Sequence, residues 1–257
     1  MINPVYSNVN RIEFVMTYDC TGQCRHCSRG DKHAIDGDVR SISASRAAEI
    51  VTEAAALFSL TSVMAFGGEP LLRADIVCAT IGAAAQSGIA VRQLITNGCF
   101  AKSEERICEV AEALAAAGLN DLLVSADAFH QETLPLETVR FFAESARNAG
   151  IPKIRITPAW VVNEAHDNPY NTETRRILAE FSALGFPIVE GNDIHLVGNA
   201  AVHLAKFYEG LPPTVSPYDE TWDSLTSLSI EPNGDVLAAF DTVIGNVCEK
   251  NLREMLI

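Results

Sequence analysis

Three cysteines, Cys20, Cys24 and Cys27, stand within eight residues, while Cys78, Cys99, Cys108 and Cys248 are isolated. Seven is an odd number and the chain is not dense in cysteine, so a disulfide scaffold is excluded. Thiolates separated by three and then two residues can converge on a metal from one short loop. Iron–sulfur clusters ordinarily take four cysteines. Three leave one iron open, much as a catalytic zinc keeps a position free for its reactant. An open iron can be chelated by the amino and carboxylate groups of an amino acid. The alternative is a zinc site with His26 or His33 as fourth ligand, but only Cys24 and Cys27 show the two-residue gap usual for zinc.

The rest of the chain must position that loop. Its 257 residues are 48% hydrophobic, with a mean hydropathy of +0.12, enough to bury a large core. The net charge of −14 would repel a phosphate backbone, which argues against nucleic acid as a partner. No apolar run reaches the length of a membrane span, and the first residues lack the pattern of a secretory signal, so a cytoplasmic protein is expected.

Short β-branched runs alternate with segments of helical period, the pattern of βα units around a parallel sheet. The expected strands are Ile12–Thr17, Ser62–Phe66, Val91–Thr96, Asp121–Ser125, Lys153–Pro158 and, in part, Pro187–Val197. The expected helices are Ser43–Leu60, Ala74–Ser87, Ser103–Ala117, Leu136–Ala149 and Thr172–Leu184. Ser43 and Ser103 have the character of N-caps, and Gly88, Gly118, Gly150 and Gly185 follow helices. This is an α/β chain, a partial (β/α)6 barrel over residues 1–205. Residues 206–257 form a short cap, with a proline-rich loop and a hairpin turning at Asn233–Gly234. Parallel barrels carry their chemistry at the carboxyl ends of strands, which is where the cysteines fall.

Cys-x3-Cys-x2-Cys in the first βα loop resembles the signature of the radical S-adenosylmethionine (radical SAM) superfamily, over about residues 10–200. The turn Phe66-Gly67-Gly68-Glu69-Pro70 resembles that family's GGEP motif, which implies that Glu69 and neighbouring backbone hold the methionine ammonium. Thr96-Asn97-Gly98 is similar to its TNG element. The resemblance further implies cofactor contacts from Ser125 and Asp127 to ribose and carboxylate, from Arg155 to the carboxylate, and from the loop at Val197 to adenine. His26 departs from a position that is usually aromatic or bulky and apolar. The cofactors implied are one [4Fe-4S] cluster on Cys20, Cys24 and Cys27 and S-adenosylmethionine, with a reductase, flavodoxin or ferredoxin as electron donor.

The segments Ile230–Val236, Ile244–Val247 and Glu249–Leu256 resemble the start of a SPASM extension, but Ala238-Ala239-Phe240 stands where a cysteine is expected. A single cluster follows, with a short cap in place of an auxiliary domain. Such enzymes often modify ribosomally made peptides by epimerisation, crosslinking or thioether formation; the alternatives are a small sugar, nucleoside or amino acid as substrate, or a non-catalytic iron–sulfur or zinc sensor. Cys78 and Cys108 have the pattern of core residues. Cys99, at the barrel top, is a candidate hydrogen-atom donor, and His130 a candidate proton acceptor or substrate contact.

Overall fold

The computed structural model describes residues 2–28, 42–212 and 220–257; His33 and much of the proline-rich loop lie outside them. Strands β1 (Arg11–Val15), β2 (Ser62–Phe66), β3 (Val91–Thr96), β4 (Asp121–Ser125) and β5 (Ile154–Thr157) pair in parallel and in sequence order. Between them run α1 (Ala44–Leu57), α2 (Ala74–Gln86), α3 (Glu104–Ala116), a short α4 (Ala128–Gln131) and α5 (Leu136–Asn148). The Ser43 and Ser103 hydroxyls accept from the N–H groups three residues on, as N-caps do. Gly88, Gly118, Gly150 and Gly185 end helices at positive φ.

Beyond β5 the barrel changes character. Ile188 makes a single parallel bridge to Ile156, and pairing then jumps to β6 (Ala159–Trp160) with β7 (Asn192–Asp193). Pro158 lacks the N–H that would continue the ladder, and Gly191, at φ +83°, packs on Pro158 where a Cβ would collide. The sixth strand is thus split, and the sheet stays open. Helix α6 (Pro169–Ala183) is capped by Asn168, and α7 (Asn199–His203) follows β7.

The cap residues extend the same sheet. Strand β8 (Ser227–Ile230) lies parallel to β1, and β9 (Asp235–Ala238) and β10 (Thr242–Asn246) follow it as antiparallel neighbours, giving the order β10-β9-β8-β1-β2-β3-β4-β5. Helix α8 (Leu252–Met255) closes the chain's described part. Leu228, Ile230, Val236 and Leu252 join the same core as Ile12 and Phe14.

The strand period of two sorts the side chains. Ile12, Phe14, Val63, Ala65, Leu94, Leu122, Val124 and Ile156 are fully buried in the main core. The opposite face carries a polar belt: Arg11 binds Glu13 and Gln93, Gln93 binds Asp121, and Arg155 binds Asp121 through two nitrogens. No helix among the described residues is long and apolar enough to cross a membrane.

Candidate active site

The cysteine loop leaves β1 and is anchored before it reaches the first thiol. Gly68 N–H donates to Thr17 O at 2.8 Å and Glu69 N–H to Asp19 O at 2.7 Å. A Cβ on Gly67 would sit 2.6 Å from Thr17 O, and one on Gly68 would lie 2.7 Å from Tyr18 O and overlap the Asp19 carbonyl. The two glycines therefore serve backbone-to-backbone contact with the cysteine loop. Gly68→Ala tests this directly: forcing the loop away costs about 1–3 kcal/mol by overpacking. Thermal unfolding and iron retention should fall together.

Glu69 is fully buried. Its Oε1 accepts from Leu71 N–H and Thr96 Oγ1, and its Oε2 from Asn97 N–H, at 2.7–2.9 Å. Burial pushes its carboxyl up to about 7 against the pull of these three donors. Asn97 reaches the cysteine loop itself, donating to Thr21 Oγ1 at 3.1 Å and to Cys20 Sγ at 3.5 Å. The ends of β2 and β3 are thus tied to each other and to the first cysteine.

Cys24 is buried; Cys20 and Cys27 are half-buried. Cys24 lies on a second, smaller core with Phe129, Ile194, Ala200 and Leu204. Burial raises the Cys20 and Cys24 thiols, and the other thiols of the loop raise them further. Neutral thiols are favoured in the free protein, so metal must drive their deprotonation. The far end of the loop is held by Asn199, whose N–H donates to Cys27 O at 3.0 Å and whose amide reaches Cys24 O at 3.4 Å. Gly198, at φ +57°, again meets backbone, its Cβ position lying 2.7 Å from Cys27 O.

Asp127 is fully buried and caps α4. Its Oδ1 accepts from Phe129 and His130 N–H, and its Oδ2 from Ala159 N–H, while His130 Nδ1 lies 2.9 Å from Oδ2. Burial opposes the Asp127 charge, but His130 outweighs it and holds the carboxyl below its usual range. For His130, burial is outweighed by Asp127, and its pKa rises. His26 packs between Phe129 and His130.

The structure gathers Cys20, Cys24, Cys27, Gly67, Gly68, Glu69 and Asn97 around one loop, with Asp127 and His130 beside Cys24. Ser125 ends β4, half-buried, opposite Thr157 of β5. Val197 is 50% exposed. Arg155 stands two residues before Thr157 and gives its guanidinium to Asp121 at 2.7 Å. Cys99 donates its N–H to Asn97 Oδ1 but packs its side chain on the main core. Sequence reasoning passed over Asn199 as a brace, for which the Gly-Asn pair at 198–199 is the available sign. Tyr18, which its place beside the first cysteine marks as a candidate for the cavity lining, donates its hydroxyl to Glu231 of the cap.

The sequence profile of the Radical SAM superfamily matches residues 14–189. The chain belongs to the radical SAM superfamily. No curated protein matches it significantly. Among solved structures it is similar to a polyhistidine-tagged anSMEcpe with bound AdoMet, at 14% identity and a TM-score of 0.58, over 95% of this chain and 76% of that one. It is also similar to coproporphyrinogen III oxidase (HemN) from Escherichia coli, described as a radical SAM enzyme, at 14% identity and a TM-score of 0.50, over 82% of this chain and 50% of that one. At such identities the likeness shows the fold. Superfamily membership makes the protein a radical SAM enzyme, with a [4Fe-4S] cluster and S-adenosylmethionine as its cofactors. Three thiols on one braced loop fit a cluster with one iron left for a reactant.

Proposed function

We propose that Cys20, Cys24 and Cys27 hold a single [4Fe-4S] cluster and that the enzyme modifies a ribosomally made peptide. Held there, the cluster would supply the electron for reductive cleavage of S-adenosylmethionine to a 5′-deoxyadenosyl radical, the chemistry by which hydrogen would be taken from the substrate. The observation that carries this reading is the bracing of the cysteine loop by Gly68, Glu69 and Asn97, which sets a buried carboxylate next to the first thiol.

Glu69 keeps lone pairs beyond the three bonds it accepts and is the proposed partner of the methionine ammonium. Ser125 offers its hydroxyl, and Val197 an exposed apolar surface for adenine. Asp127 is committed to α4, Ala159 and His130, so its part is to orient His130 at the substrate side. Arg155 serves the cofactor carboxylate in this reading only by exchanging Asp121 for it. Cys99 is the proposed hydrogen-atom donor to the substrate radical, linked through Asn97 to Cys20. The resemblance of the cap to a SPASM extension supports a peptide substrate, and the acidic chain suits a basic one. Seven free cysteines suit a reducing compartment, in which a flavodoxin or ferredoxin supplies the electron.

Because the ionised form of Glu69 is the one that attracts an ammonium, S-adenosylmethionine should bind more tightly as pH rises through about 7 and level off above it. Glu69→Gln should weaken binding by about 1–3 kcal/mol and flatten that profile. Anaerobic isothermal titration between pH 6 and 8.5 checks both. The function itself is tested by anaerobic reconstitution with candidate peptides in deuterated solvent. 5′-Deoxyadenosine with one deuterium in the product marks epimerisation, and loss of hydrogens marks a crosslink or thioether. Stoichiometric zinc, no iron and no 5′-deoxyadenosine would end this reading.

A further inference from the structure

Cys24 faces a second set of donors that the cluster does not use. The Cys24 thiol, a ring nitrogen of His26 and a ring nitrogen of His130 lie within 4.8 Å of one another. His26 Nδ1 is buried and has no hydrogen-bond partner. Ring packing on Phe129 and His130 accounts for the plane of His26, but not for a buried ring nitrogen left without a hydrogen-bond partner. His130 is held by the buried Asp127 carboxylate, 2.9 Å from Nδ1. Metal-ligating histidines ordinarily carry a carboxylate of this kind on the ring nitrogen away from the metal, where it fixes tautomer and orientation. One thiolate and two imidazoles with an open fourth position is a donor set for zinc rather than for magnesium or calcium.

We propose that the cluster-free chain binds one zinc-class divalent cation at Cys24, His26 and His130, with water in the fourth position. Binding forms one metal–sulfur and two metal–nitrogen bonds; the Cys24 thiol releases one proton to solvent, and no electron moves. Cys24 is also a cluster ligand in the function proposed above, and in that respect the inference rests on that reading. The two occupancies exclude each other. The cation keeps the apo loop closed over the smaller core, and iron–sulfur assembly has to displace it.

Cobalt(II) is the probe, titrated anaerobically into the full-length apo-protein. One equivalent should bind with a thiolate-to-cobalt charge-transfer band and the intense d–d bands of a tetrahedral site. The Cys20→Ala, Cys27→Ala double variant should keep that spectrum, because neither residue belongs to the donor set. His26→Phe preserves ring volume, and His130→Gln preserves a polar partner for Asp127; each should lower cobalt affinity by about tenfold or more. Loss of the spectrum in the double variant, or wild-type affinity in His26→Phe, overturns the site. Iron and sulfide content of reconstituted wild type separates this from the functional reading. A wild type that takes up no cluster refutes the function and leaves the cobalt result standing, whereas a full cluster with no histidine-dependent cobalt site refutes only this inference.

Discussion

A chain in which Cys20, Cys24 and Cys27 are all replaced by Ala will take up no stoichiometric iron or sulfide and will form no 5′-deoxyadenosine. The four remaining thiols cannot assemble a cubane, because they stand on unrelated elements. Cys78 is half-buried within α2, and Cys108, on α3, lies 3.7 Å from Ser145 Oγ of α5. Cys99 follows β3 and packs on the main core. Cys248 is exposed past β10, against the Asn233 carbonyl. Iron–sulfur sites need several thiolates converging in one small volume, and no two of these four share an element. Iron should fall from about four per chain, the content of one cubane, to background. A reducible cluster signal surviving in electron paramagnetic resonance would show a second cluster. With one cluster only, the outcome expected for a substrate radical is one that needs no auxiliary electron acceptor: hydrogen-atom transfer from a thiol, or return of its electron to the same cluster.

Much of this arrangement is legible in the sequence, and the limits have physical causes. Strands β2, β3 and β4 run where their β-branched periods end, and α1 and α3 begin where Ser43 and Ser103 cap them. These signals are local. The sixth strand is less legible because its course depends on Pro158 meeting Gly191, a contact between segments more than thirty positions apart. Glycines 67 and 68 are conspicuous in sequence, but their service to the Thr17–Asp19 backbone is visible only once β1 and β2 lie in register. Asp127 has the sequence character of a ligand contact, yet its carboxylate is enclosed by its own helix start and by Ala159. Arg155 finds Asp121 through strand pairing that no spacing rule encodes. What sequence reveals here is which strand end carries a polar residue. Which partner that residue takes is decided by long-range packing.

Asp127→Ala will cost about 3–5 kcal/mol of stability, a large share of what a domain possesses. The substitution removes the acceptor for three backbone N–H groups, those of Phe129, His130 and Ala159, and strands the His130 ring. Each is buried or partly buried, so water replaces the lost bonds poorly. The effect will depend on pH in a direction fixed by the pair. Asp127 is held below its ordinary 3.8, so its contribution is present above that value and fades as pH falls toward its lowered pKa. His130 is raised above 6.5, so its contribution is complete below that value and is lost as pH climbs through the raised pKa. The gap between wild type and Asp127→Ala should therefore be widest between about pH 4 and 6.5 and should narrow as pH climbs through the raised His130 pKa, above which the three N–H bonds remain without the charge pair. Urea unfolding of both apo-proteins at pH 5.5 and 8.5 measures it. Equal midpoints at pH 5.5 would mean that Asp127 does not brace the β4–α4 turn. A gap the same at pH 5.5 and 8.5 would mean that the Asp127–His130 charge pair contributes nothing that titrates between these values, leaving the three N–H bonds as the common part.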